Sequence, residues 1–281
     1  MMPGMYPEQD VTMLSIQTNI ASLTAQQNLN TNNTFMNNTI TQLTSGYRIN
    51  SSSDDAAGLV VANQYRSNVA ELTQGVRNAN DGVSTLQIID GGLGNISKIL
   101  DRLKTLATES ASDTFTGSRT TLNNEYQDLI GEINRQADNI GLGTTSTTNI
   151  AKLNVYIGGN TASVSVDLSK GAVDAATLGI STAIDTATNA GTAIGEVNSA
   201  VSALGVVQGT VGSSENKLSY ATNLANSQIT SYSSAEGQIR DADMAAEAAN
   251  LTKGQVLQQA SLAAMAQANA EPQAVLSLLK G

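Results

Sequence analysis

A mainly α fold, with long antiparallel coiled-coil helices from both chain ends and a small β-hairpin region in the middle, is the architecture this sequence predicts. Three observations carry it. Apolar residues recur at three and four, and over long stretches at seven, on both sides of the chain's centre. Between those stretches lies a Gly-, Thr- and Ser-rich segment whose apolar residues alternate at two. Bulky aromatics are almost absent, with Trp 0, Phe 2 and Tyr 7 in 281 residues, although 40% of the chain is hydrophobic. Apolar surface made of Ala, Leu, Ile and Val suits close helix packing better than a thick globular core.

Residues 1–12 carry Pro3, Gly4 and Pro7 without periodicity and read as an extension or tag, with Met13 as a second possible start. From Leu14 to Gly46 the residues Ile16, Ile20 and Leu23, then Met36, Ile40, Leu43 and Tyr47, mark an amphipathic helix that Gly46 stops. A connector follows to Asp55. Asp54 and Asp55 stand where the next helix begins, so they read as caps favoured by the helix dipole rather than as a catalytic or metal-binding pair. From Ala56 a second helix keeps a seven-residue seam through Tyr65, Val69, Leu72, Val76, Ala79, Val83, Leu86, Leu93 and Leu100, with Asp90 and Gly91–Gly92 as its weak point. Those glycines do not make a phosphate loop, since neither a preceding strand nor a following Lys-Ser/Thr is present.

Asp113 to Gly117 breaks the chain, and a third helix runs from Leu122 to about Ile140. Within residues 141–179, Leu153/Val155/Ile157 and Val164/Val166/Leu168 alternate on either side of Gly158, Gly159 and Asn160, which predicts a β-hairpin. Helical periodicity returns at about Ala183, with Ile194, Val197, Val201, Leu204, Val211, Leu218, Ala225, Ile229 and Tyr232 on a heptad grid. The last segment, Ile239 to Leu279, places Met244, Ala248, Leu251, Leu262 and Met265 on one stripe, with Pro272 expected to interrupt it. The two long helices are expected to meet antiparallel, which brings the chain ends together.

With Cys 0 and His 0, the chain holds no cysteine nucleophile, no Ser-His-Asp triad, no imidazole acid or base and no His-bearing zinc site. No carboxylate, Lys, Tyr or Ser motif replaces them, so neither an enzymatic activity nor a cofactor is expected. A net charge of −10 argues against nucleic acid as a partner, and no apolar run approaches the length of a membrane span. The terminal helices are too poor in bulky side chains to bury much when alone. They are expected to order when neighbours cover their stripes, which points to self-association.

The residues at both ends resemble bacterial flagellin. Leu14–Ser15–Ile16–Gln17–Thr18–Asn19 is similar to the family's start, and Leu43–Thr44–Ser45–Gly46–Tyr47–Arg48–Ile49–Asn50–Ser51, followed by Asp54–Asp55–Ala56–Ala57–Gly58, to its N-terminal signature. Ile239–Arg240–Asp241–Ala242–Asp243–Met244–Ala245 and Pro272–Gln273–Ala274–Val275–Leu276–Ser277–Leu278–Leu279 resemble its C-terminal signature. The resemblance implies a short flagellin, the structural subunit that polymerises into the filament for swimming motility. A flagellin-like hook-filament junction protein and a coiled-coil surface adhesin are the alternatives.

It further implies an inner-tube domain from residues 13–55 and 238–281, and an outer-tube domain from residues 56–237 whose variable region is reduced to residues 141–180. The implied partners are the chain itself as a helical homopolymer, an export chaperone, the type III export apparatus, the filament cap and the hook-junction proteins. The implied location is extracellular, in the flagellum, reached without a cleaved signal peptide. The stripes expected to make the polymerisation interface are Ile16, Ile20, Leu23, Met36, Ile40, Leu43, Met244, Leu251, Leu262, Met265, Val275, Leu278 and Leu279. By the same resemblance Arg102, Leu106 and Glu125 match the positions through which animal Toll-like receptors sense the family.

Overall fold

The structure is a computed structural model that describes residues 18–144, 152–158, 163–168 and 171–280, with side chains as far as 273. Five helices and two strands follow one another: α1 (Ile20–Ser45), α2 (Ala56–Ala111), α3 (Arg119–Asn139), β1 (Lys152–Tyr156), β2 (Ser163–Asp167), α4 (Ala187–Arg240) and α5 (Met244–Lys280). The chain divides into two compact units, Met1–Asn63 with Ala235–Gly281, and Gln64–Ser234.

In the Gln64–Ser234 unit, α2 builds the core from two heptad rows. One is Leu72, Ala79, Leu86, Leu93, Leu100 and Ala107, all buried; the second, three residues on, is Gly75, Gly82, Ile89, Ile96 and Leu103. The first row carries one half of the predicted seam; Val69, Val76 and Val83, the other half, are only half-buried, because the second row turns to 75, 82, 89, 96 and 103 instead. In the second, the large residues give way to glycine at 75 and 82, because the hairpin packs there. A Cβ on Gly75 would overlap the backbone carbonyl of Ile157, and one on Gly82 would meet Val155 Cγ2 at 2.8 Å and Leu218 Cδ1 at 3.3 Å. Gly91–Gly92 does not break the helix: α2 runs through both, and Gly92 is the site where Ile140 closes on the helix backbone.

Helix α4 presents Ala190, Ala193, Val197, Ala200, Leu204, Val207, Val211, Ser214, Leu218 and Ala225, an alternation of three and four that makes a narrow seam of small residues. Tyr65 stacks on Tyr232 at 5.6 Å, Gly82 lies beside Leu218, and Ser110 Oγ donates to Ile184 O at 2.6 Å, so α4 runs antiparallel to α2. Val201, placed on the seam by the sequence reading, is 39% exposed, since the row rotates to Ala200 and Leu204. An 18-residue window of α4 reaches a mean hydropathy of 1.2, apolar enough to cross a membrane by length and composition, contrary to expectation. Its buried small-residue row is already committed to the core of this unit.

β1 and β2 pair antiparallel with Leu153 opposite Val166 and Val155 opposite Val164. Val155, Ile157, Val166 and Leu168 are buried, as the alternation requires. Gly159 and Asn160 of the predicted turn lie outside the described residues. The segment leading back to α4 is held by amide side chains of α3: Asn134 Oδ1 accepts from Ala175 N, and Asn123 Oδ1 from Ile184 N, each at 2.9 Å. Burial raises the Glu196 carboxyl, but hydrogen bonds from the Thr182 hydroxyl and from the N–H groups of Ser181 and Thr182 outweigh it and hold it below its ordinary value.

In the other unit, α1 packs on α5. Gly46, at φ 75°, ends α1 as a left-handed cap. Pro272 does not interrupt the last segment; α5 continues through it to Lys280. The carbonyl that the proline leaves without its intrahelical partner is that of Ala268, and Asn19 Nδ2 donates to it at 2.6 Å.

Candidate functional site

The pairing of α1 with α5 is antiparallel, because Asn19 meets Ala268, Asn32 meets Gly254 and Tyr47 bridges to Asp241. On α1 the buried residues are Ala25, Asn32 and Thr39, seven apart, flanked by half-buried Ser22, Leu29, Met36 and Leu43. On α5, Glu247, Leu251, Gly254, Gln258, Ser261, Met265, Ala268 and Pro272 alternate at four and three, with Gly254 and Ala268 buried. This is coiled-coil spacing filled largely by small and polar groups. Asn32 Nδ2 donates to Gly254 O at 2.8 Å, Gln258 Nε2 donates to Asn33 Oδ1 at 3.1 Å, and Gly254 admits Met36 and Phe35 close to its backbone.

Large apolar side chains mostly point elsewhere. Ile20 is 67% exposed, Leu23 60%, Val256 60% and Leu262 48%; Phe35, Ile40, Met244 and Leu257 are exposed as well. The residues expected to form one interface therefore divide. Met36, Leu43, Leu251 and Met265 lie on the seam within the chain, and Ile20, Leu23, Ile40, Met244 and Leu262 face outward. Met244, Ala248, Leu251, Leu262 and Met265 do not share one face, because the seam follows Leu251 and Met265 at heptad spacing and leaves the others outside it. Ile16 lies outside the described residues, as do the side chains of Val275, Leu278 and Leu279. Val256 and Leu257 belong to the outward set and were missed by the sequence reading; their signal was that they fall off the seam's heptad. Phe35, also missed, stands at the seam's edge with its ring against Gly254.

Where α1 ends and α5 begins, the backbone from both chain ends is stitched together. Arg48 N donates to Arg240 O at 2.7 Å, and Ala242 N to Gly46 O at 2.9 Å. The Arg48 guanidinium donates to Ile239 O at 2.7 Å, and that of Arg240 lies 4.1 Å from the centre of the Tyr47 ring. Asp55 Oδ1 accepts from Gly58 N at 2.9 Å and caps α2 as expected; a Cβ on Gly58 would collide with that carboxylate and reach Ile49 Cδ1 at 2.8 Å. Asp54 instead folds back on the loop. Its Oδ2 accepts from the N–H groups of Ser51 and Asn50, which hold the carboxyl below its usual range.

Arg102 Nε and Nη2 both donate to Glu125 Oε1, at 2.8 and 2.6 Å, and the two side chains are about half exposed. Leu106 does not accompany them. It is fully buried on the core side of α2, next to Leu103 and Ala107, so no partner touches it while this unit is folded. No cluster of three or more acidic, His or Cys side chains suited to a metal ion occurs among the described residues.

Residues 16–143 match the family model for the bacterial flagellin N-terminal helical region, and residues 187–279 the model for the bacterial flagellin C-terminal helical region. The chain is similar to a flagellin of Halalkalibacterium halodurans, 33% identical over 94% of this chain and 99% of that protein. It is also similar to the flagellar filament 33 kDa core protein of Treponema phagedenis, 30% identical over 94% of this chain and 99% of that one. A crystal structure of Bacillus cereus flagellin superimposes with a TM-score of 0.46 at 28% identity, covering 53% of this chain and 88% of the other.

Proposed function

This chain belongs to the bacterial flagellin family, and from that premise we propose how it works as a structural subunit of the flagellar filament. Copies of the chain polymerise with one another, and the product is the extracellular filament that drives swimming motility. The paired α1 and α5, within residues 13–55 and 238–281, form the inner tube. Residues 56–237 form the outer tube, with residues 141–180 as a shortened variable region.

One observation supports this reading most directly: the α1–α5 pair spends small and polar residues on its own seam and leaves Ile20, Leu23, Val256 and Leu262 outside. Large aliphatic side chains left in water favour a partner that covers them. A second copy of the same pair supplies one with matching chemistry. Before assembly the ends stay unfolded, which suits passage through a type III export apparatus with the help of a chaperone and without a cleaved signal peptide. A filament cap then covers the growing end, and hook-junction proteins join the filament to the hook.

Electron microscopy of the purified chain after seeding is expected to show long tubes of uniform diameter, and terminal resonances that are sharp in the monomer should vanish in the polymer. Persistent monomers or short caps would instead favour a hook-filament junction protein. Terminal helices already protected in the monomer would overturn folding on assembly.

Sensing by an animal Toll-like receptor is part of the same reading at Arg102 and Glu125, with buried Leu106 excluded. Reporter cells should respond less to Arg102→Ala than to the wild type, and an equal response would remove this surface.

A further inference from the structure

A proline inside a helix deletes one N–H and leaves the carbonyl four residues earlier bare. Pro272 does this to Ala268, whose residue is only 8% exposed and whose carbonyl is turned toward α1. The donor that meets this carbonyl is the Asn19 side chain, with Nδ2 at 2.6 Å from the oxygen. The opposite end of the same amide is also used: Oδ1 accepts from Ser22 N at 3.0 Å as the N-cap of α1. One planar amide thus satisfies an orphan N–H at the start of one helix and an orphan C=O inside another. The small residues Ala25, Ser22 and Ser261 would pack almost as well after a slip of one heptad, so register rests on the polar contacts: Asn32 on Gly254 O in the middle of the pair, the backbone bonds at the Gly46 end, and Asn19 at the far end. Such a slip would carry Asn19 away and leave the Ala268 carbonyl buried without a donor.

We propose that Asn19 and Pro272 together act as a register key at the far end of the terminal helix pair, the proline exposing one carbonyl on α5 and the Asn19 amide selecting it. This rests on the reading that the paired termini must form for a subunit to join the filament. A slipped pair would present the outward residues Ile20, Leu23, Val256 and Leu262 in the wrong relative positions to a neighbouring copy.

The test is a double-mutant cycle on the full chain. Asn19→Asp keeps the cap, because Asp and Asn cap about equally, but it replaces the donor to Ala268 with a second acceptor. It should raise the critical concentration for seeded assembly about tenfold, equivalent to ~1.4 kcal/mol, and, in the assembled filament, speed amide exchange across residues 265–273 to a similar extent. Pro272→Ala restores an intrahelical N–H to the same carbonyl. In that background Asn19→Asp should change either readout by less than about twofold. Equal effects in both backgrounds, or no effect in the native one, would overturn the register key. Should the wild-type chain form no filaments, the filament reading falls by itself. Folding on assembly falls with it, so the terminal pair should then be closed in the soluble chain; the exchange cycle there decides the key, and unprotected or cycle-independent residues 265–273 count against it.

Discussion

Removal of residues 244–281 is expected to abolish filament growth even from seeds, while the Gln64–Ser234 unit should stay folded with an unchanged urea midpoint. The reason is where each element's partners lie. Every residue of the large buried cluster falls between Leu72 and Ala225, so none of that core is lost with α5. What α5 covers is the α1 seam, where Ala25, Asn32 and Thr39 are buried. Without α5, Asn32 loses the Gly254 carbonyl, Asn19 loses that of Ala268, and a helix with Ile20, Leu23 and Ile40 already exposed has nothing to order it. Electron microscopy and chemical unfolding on the same preparation check both halves of this expectation. Continued filament growth, or a fall in the midpoint, would show that the termini are not the assembly element or that the core extends into them.

Gly75→Ala is expected to destabilise the Gln64–Ser234 unit by about 3 kcal/mol, the upper end of what overpacking costs. Its Cβ would overlap the Ile157 carbonyl, a backbone atom that cannot rotate aside. The hairpin is tied down around that point. Asn78 Nδ2 donates to Tyr156 O at 3.0 Å, the Tyr156 hydroxyl donates to Glu71 Oε1 at 2.7 Å, and Gly158, at φ 124°, lies against Leu72. Relieving the clash therefore means giving up those bonds together with the burial of Val155 and Ile157. Gly91→Ala, on an exposed part of the same helix with nothing within 4 Å of its Cβ, should instead stabilise by about 1 kcal/mol through helix propensity. Urea titration of the soluble full chain separates the two, and a Gly75→Ala chain as stable as the wild type would mean that the hairpin does not need its close approach to α2.

The long helices and the hairpin were legible because their signals are periodic and apolar. Leu72 to Leu100 on α2, Val197 to Leu218 on α4, and the two alternating runs of the hairpin all follow from the spacing of large residues. Gly75 and Gly82 were not legible, since what they provide is the absence of a side chain, and hydrophobic periodicity does not register an absence. The terminal seam inverted the usual rule. Its buried positions are Ala25, Asn32, Thr39 and Gly254, so the apolar pattern of α1 and α5 marked the outward face as readily as the seam. Pro272 read as a stop because the donor that compensates for it, Asn19, is 249 residues away in sequence. Leu106 was carried over by resemblance, which conveys a position in a motif but not the direction its side chain faces.

The small-residue seam also has a thermal consequence. Closing α1 on α5 removes little large aliphatic surface from water, so that step carries a small heat-capacity change; covering Ile20, Leu23, Val256 and Leu262 from outside carries a larger one. Apolar burial weakens on cooling. On the proposed interface, chilling is expected to act first on the joints between subunits, so that a cooled filament shortens from its ends while the enclosed core of each released chain, from Leu72 to Ala225, remains intact.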